Sequence, residues 1–206
     1  MRAGVFGGTF DPIHLGHLAA ARAIRTTLKL DKVIFVPAGQ PWMKAGTPVS
    51  SINDRVEMVR LVVARRKAFE LSTIEADRAG PSYAVDTMAT LRRHLGSGSD
   101  LFFLLGSDAL KDIAKWREPE RLIRLCRLVA FARPGCRMPR SEVLAAAVPG
   151  FSERVIFVQV PQVDIKASDI RRRVVEGESI QRLVPRAVER YILEHGLYGA
   201  ALRRTT

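Results

Sequence analysis

The sequence predicts an α/β fold: a doubly wound parallel sheet with helices on both faces. Two observations carry this. Short, continuously apolar β-rich runs alternate with longer segments of helical periodicity. Those runs lack the in-out alternation of a half-exposed strand, as expected where helices cover both faces of a parallel sheet. Strand, helix, strand repeated with right-handed crossovers then gives the doubly wound arrangement.

The strands are expected at residues 2–7 (RAGVFG), 32–37 (KVIFVP), 69–73 (FELST), 101–105 (LFFLL), 128–132 (LVAFA) and 155–158 (VIFV). Between the first two, residues 15–28 place Leu15, Leu18, Ala21, Ile24 and Leu28 along one helical stripe. Ser51 opens a second helix with Asp54 three residues on, followed by Val56, Val59 and Val63. A third helix spans 83–95 and stops before Gly96-Ser97-Gly98. Residues 38–50 hold two prolines, two glycines and Trp42, which reads as a mobile surface loop with an exposed tryptophan. Residues 168–176 and 185–195 read as closing helices, the second with Pro185 in its first turn and Gly196 just past its end.

The 206 residues carry a formal charge of +12, which attracts polyanions in general and selects none of them. The excess is spread evenly: residues 1–115 hold 16 basic and 11 acidic side chains, residues 116–206 hold 17 and 10. A nucleic-acid binder would concentrate it, and neither an aromatic-interleaved basic stripe nor a zinc finger is found. No apolar run reaches transmembrane length, and MRAGVFGG enters a strand pattern without the apolar core of a secretory leader. Cys126 and Cys136 have no metal-ligand spacing and read as reduced thiols, so cytoplasmic residence is expected.

Chemistry concentrates in GGTFDPIHLGH, residues 7–17, between the first strand and the first helix, where open α/β sheets bind ligands. It is neither a dinucleotide fingerprint nor a P-loop. Gly7 and Gly8 allow close approach of backbone N–H groups to phosphate oxygens. His14 and His17 lie three apart, on one face of the first helical turn, where the helix dipole favours an anion. Phosphate contact, a zinc pair and two structural histidines all fit this spacing. No nearby cysteine and no third histidine in register support the zinc reading, so no protein-held metal is expected.

The segment resembles the signature of the nucleotidyltransferase superfamily, a glycine followed by F-x-P-x-H-x-x-H. PSYAVDT at 81–87, Leu105-Gly106-Ser107-Asp108, Trp116 and a closing motif near residue 165 narrow the resemblance to bacterial nicotinate-mononucleotide adenylyltransferases, over residues 1–198. It implies a Rossmann-like core over 1–160, a small C-terminal helical part over 161–198 and a tail over 199–206, forming a single nucleotidyltransferase domain. It implies transfer of the adenylyl group of ATP to nicotinate mononucleotide, with Mg²⁺ arriving on the ATP phosphates. By motif position, His14, His17, Lys44 and Arg171 carry the catalytic role. Gly7, Gly8, Thr9, Phe10, Gly106, Asp108 and Ser168, together with His14, His17 and Arg171, bind ATP. Lys44, Ser82, Tyr83, Ala84, Asp108 and Trp116 bind the mononucleotide, Trp116 by stacking on the pyridine ring; an ordinary half-buried tryptophan is the alternative.

Two departures stand out. Ala84 replaces a hydroxyl residue beside the nicotinate carboxylate. The closing motif reads Ile165-Lys166-Ala167-Ser168-Asp169-Ile170-Arg171, with two hydroxyls missing, Ser168 left to cap the helix and Lys166 new. An acceptor such as phosphopantetheine is the rival reading within the same chemistry. Nucleic acid and membrane are not expected as partners, and homo-oligomerisation is open.

Overall fold

The computed structural model describes residues 1–44, 48–136 and 138–200, except the side chain of Lys44. In chain order the elements are β1 (Arg2–Gly8), α1 (Leu15–Thr27), β2 (Lys32–Pro37), α2 (Ile52–Val63), β3 (Phe69–Leu71), α3 (Ala84–Leu95), β4 (Asp100–Gly106) and α4 (Ser107–Lys111). They continue as α5 (Pro119–Leu125), β5 (Arg127–Phe131), α6 (Ser141–Ala147), α7 (Phe151–Arg154), β6 (Val155–Val158), α8 (Ala167–Val175) and α9 (Arg186–Glu194). Short 3₁₀ turns occupy Trp42–Lys44, Ile113–Lys115 and Leu197–Gly199.

Alternate residues of each strand feed opposite faces. Ala3 and Val5 of β1 and Leu101, Phe103 and Leu105 of β4 enter one apolar cluster, beneath α3 and α5. Phe6, Phe102 and Leu104 enter the other, beneath α1 and α2. Ile170 and Val174 of α8 and Val188 and Ile192 of α9 extend that second cluster, so the closing helices are seated on the sheet. Burying a phenylalanine such as Phe35 or Phe102 contributes about 2–3 kcal/mol, which commits both faces of the central strands. At Gly4 a Cβ would lie 2.9 Å from Leu30 Cδ1 and 3.2 Å from Leu104 Cδ1, so glycine lets α1 and its exit turn settle over β1.

Among the described residues, six parallel strands form one sheet in the order β3-β2-β1-β4-β5-β6. The chain winds outward to β3, crosses back, and continues from β4 on the other side of β1. This doubly wound parallel sheet is the predicted architecture, and the reversal between β1 and β4 opens a crevice at the strands' C-terminal ends.

Element ends shift by one or two residues. β3 stops at Leu71, although Ser72 N still donates to Phe35 O at 2.9 Å. Ser51 caps α2, accepting from Asp54 N at 3.1 Å. Tyr83 and Pro185 stand at the N-cap positions of α3 and α9 rather than inside them. The helices α4 to α7 went unpredicted; each has seven residues or fewer, too short for a periodicity to show.

Candidate active site

A cleft of about 670 Å³ opens at the sheet's reversal point. Its floor is the loop between β1 and α1. Phe10 takes a left-handed conformation (φ 50°) and buries its ring against Phe6 at 5.8 Å and His17 at 5.1 Å. A Cβ on Gly8 would meet that ring at 3.0–3.3 Å, so any larger residue there would push the Phe10 ring by a few tenths of an ångström before any ligand arrives. The Asp11–Pro12 peptide is cis.

His14 is the N-cap of α1, and its ring stacks on that of His17 with centroids 3.7 Å apart. His14 N donates to His17 Nδ1 at 3.2 Å. With Nδ1 accepting, the nitrogen of His17 that can carry a proton is Nε2, which makes it a donor. His14 is 2% exposed; burial first, and the Arg133 charge second, lower its pKa to about 3. At neutral pH His14 therefore serves as an uncharged imidazole, and cationic attraction at this end of the cleft comes from Arg133, Arg171 and Lys166, which line it.

The loop is held from three sides. Arg55, 2% exposed, donates to Ser50 O, Thr9 O, Ala38 O and Gly39 O at 2.6–3.2 Å, tying the loops after β1 and β2 together. Asp11 accepts from Tyr198 Oη at 2.7 Å and from Ser50 N at 3.3 Å, while its carbonyl accepts from Arg171 Nη1 at 2.7 Å. Leu15 N, an otherwise orphaned donor at the start of α1, bonds Leu183 O at 2.9 Å.

Across the cleft, β4 ends in Gly106-Ser107-Asp108. Arg133 Nη1 donates to Asp108 Oδ2 at 2.9 Å. A Cβ on Gly106 would lie 2.6 Å from Asp108 Oδ1 and 2.7 Å from Arg133 Cδ, so glycine makes room for this pair. Farther along lies an aromatic corner. Trp116 packs edge-on against Phe103 at 5.9 Å, and Trp42 faces Tyr83 at 6.1 Å. The Trp116 Nε1 is buried and bonds nothing among the described residues. Glu75, 7% exposed, accepts from Thr87 Oγ1 at 2.6 Å, and burial raises its pKa.

Every nominated site residue except Lys44 lines this cleft: residues 7–10, His14, His17, residues 82–84, Gly106, Asp108, Trp116, Ser168 and Arg171. The side chain of Lys44 lies outside the described residues. Three local expectations are corrected. Ser168 does not cap α8, because the helix starts a residue earlier and Lys166 is the N-cap, its carbonyl accepting from Asp169 N at 3.1 Å and Ile170 N at 3.2 Å. Gly106 is the N-cap of α4, and the Asp108 carboxylate turns to Arg133. Trp42 is half-buried in the cleft wall rather than exposed. Pro185 stands one position before its helix. Arg172 and Arg173 pair with Glu176 and Glu178 on the surface, and neither lines the cleft.

Arg55, Arg117 and Arg133 were not singled out from the sequence. Arg133 had a usable signal, since it follows β5 directly at the C-terminal edge where this fold binds ligands. Arg55 had none, because a buried arginine inside a helix reads like a surface one.

Residues 5–173 match the model of the cytidylyltransferase-like family, so the chain is a nucleotidyltransferase of that family. A Thermus thermophilus protein is 48% identical over 198 residues, covering 96% of this chain and all of the relative. A Thermomicrobium roseum protein is 46% identical (96% and 91% covered), and one from Dehalococcoides mccartyi is 42% identical (96% and 97%). All three bear the name probable nicotinate-nucleotide adenylyltransferase, and the chain belongs to that adenylyltransferase family. The structure of the Plasmodium falciparum nicotinic acid mononucleotide adenylyltransferase complexed with NaAD superposes with a TM-score of 0.78 at 19% identity, covering 98% of this chain and 99% of that one, a likeness of fold.

Proposed function

We propose that the chain, acting as one domain in the cytoplasm, transfers the adenylyl group of ATP to nicotinate mononucleotide, giving nicotinate adenine dinucleotide and pyrophosphate in NAD biosynthesis. The observation that carries this reading is a single cleft with a stacked histidine pair at the head of α1 and an aromatic corner at its other end. A mononucleotide has one phosphate to present at the first and one flat ring to lodge at the second. Among the described residues, no helix is long and apolar enough to cross a membrane.

The nucleophile is the substrate's own phosphate oxygen. It forms a bond to the α-phosphorus of ATP as the bond to the bridging oxygen of pyrophosphate breaks. The protein's task is alignment and charge stabilisation, which can supply most of the acceleration. His17, donating through Nε2, and neutral His14 meet the phosphates without a proton changing hands. Arg171, fixed by the Asp11 carbonyl, and Lys44 and Lys166 neutralise the triphosphate. Residues 8–10 shape the adenylyl end, and Asp108, Gly106 and Ser168 meet the nucleotide from the cleft lining. Trp116 stacks on the pyridine ring, with Ser82, Tyr83 and Ala84 at its rim.

Among the described residues, no group of three His, Cys, Asp or Glu side chains could hold a metal ion. The cleft carboxylates are already engaged: Asp11 by Tyr198, Asp108 by Arg133, Asp112 by Lys115 at 2.6 Å. This donor set fits Mg²⁺ carried in on ATP oxygens, where it offsets triphosphate charge.

The test is pyrophosphate release with ATP and a panel of acceptors. Nicotinate mononucleotide is expected to be used best. Turnover with phosphopantetheine and none with either pyridine mononucleotide would overturn the assignment.

A further inference from the structure

The aromatic corner carries a charge that the stacking role leaves unused. Arg117 follows Trp116 and lines the cleft, with its Cζ 4.9 Å from the centre of the Tyr83 ring. That contact holds the guanidinium over the aromatic face while more than half of the side chain remains exposed (54%). Glu118 does not cancel it. Its Oε2 accepts from Arg121 Nη1 at 3.0 Å, while its Oε1 lies 3.5 Å from Arg117 Nε, so one carboxylate is shared by two arginines.

The other acids of this corner are also accounted for. Asp112 is bound to Lys115, and Glu75 is buried against Thr87. Tyr83, which Arg117 covers, is also the N-cap of α3, a helix start with no side-chain cap; Asp86 in its first turn is not among the residues that line the cleft. A flat ring standing against Trp116 thus meets an environment of net positive charge at its edge.

We propose that Arg117 is the specificity-determining residue for the acceptor ring, drawing the ring carboxylate of the acid mononucleotide and giving nothing comparable to the neutral amide. This rests on the adenylyltransferase reading above. The carboxylate gains an ion pair with a guanidinium held by Tyr83 and Glu118; a carboxamide in the same place accepts a hydrogen bond from that guanidinium but brings no opposite charge to it. Because the arginine is partly exposed, salt screens the discrimination.

The experiment compares kcat/KM for nicotinate mononucleotide and nicotinamide mononucleotide, with saturating ATP, in wild type, Arg117→Gln and Arg117→Lys. The acid-over-amide ratio is expected to fall about tenfold in Arg117→Gln, chiefly through KM for the acid, and to be largely kept in Arg117→Lys. Raising KCl to 0.5 M (a roughly 4 Å Debye length) should lower the wild-type ratio and leave that of Arg117→Gln little changed. A ratio unaffected by Arg117→Gln, or equal losses on both substrates, would overturn the proposal while leaving the enzyme's activity standing. Wild type that uses neither mononucleotide would instead overturn the underlying reading, and the proposal with it.

Discussion

Tyr198 Oη donates to Asp11 Oδ1 at 2.7 Å, joining two residues 187 apart in the chain. The C-terminal turn thereby buttresses the loop that carries the histidine pair. Burial and the Asp11 charge push the Tyr198 phenol well above its ordinary range, so it remains a donor at every working pH.

Tyr198→Phe removes one hydroxyl and almost no volume. It leaves an oxygen of Asp11, 4% exposed, without its donor, which costs about 1–3 kcal/mol. Urea unfolding should show that loss, and kcat should fall because the loop relaxes around His14. Stability within 0.5 kcal/mol of wild type (about a twofold change in the folding constant) would remove the buttress from the account.

His14 makes folding pH-dependent in a defined window. Its pKa is 6.5 when unfolded and about 3 in the folded chain. Between those values the unfolded state binds the extra proton, so stability rises with pH there and is lost as pH falls below 6.5. The slope approaches about 1.4 kcal/mol per pH unit. Denaturant titrations at pH 7, 6, 5 and 4 should show a steeper decline in wild type than in His14→Gln. Parallel curves would mean that His14 is not held neutral by burial.

Trp116→Ala removes the wall that a pyridine ring would stack on. Its indole packs edge-on against Phe103, and its Nε1 bonds nothing among the described residues, so the loss is expected in ligand binding more than in the fold. Steady-state kinetics should show KM for the mononucleotide raised on the order of tenfold, in line with the 1–3 kcal/mol of a base-stacking contact. An unchanged KM would leave Trp116 an ordinary half-buried residue.

The parallel sheet was readable because its strands are continuously apolar, and each of Phe6, Phe35, Phe102 and Phe103 commits a strand position to one face. The histidine pair was readable from its spacing of three at a helix start, although His14 is the N-cap and meets His17 as N-cap meets N3, with the rings 3.7 Å apart, rather than on a helical face. What escaped were relationships across long separations. Nothing local announces that Arg55 holds Thr9 and Ala38, that Tyr198 meets Asp11, or that Arg133 pairs with Asp108 while its charge reaches His14. The capping error at Ser168 has another cause: the side chain is a competent cap, but a helix starting one residue earlier claims the position first.

The central claim is that adenylyl transfer takes place at the head of α1, with His17 stabilising charge that develops in the transition state. Single-turnover and steady-state rates of dinucleotide formation from ATP and nicotinate mononucleotide, in wild type and His17→Ala, test it most directly. The account predicts one dinucleotide per pyrophosphate in wild type, and in the variant a fall in kcat on the order of a hundredfold or more with KM for ATP little changed. A variant with wild-type kcat, or one altered only in KM for ATP, would contradict it.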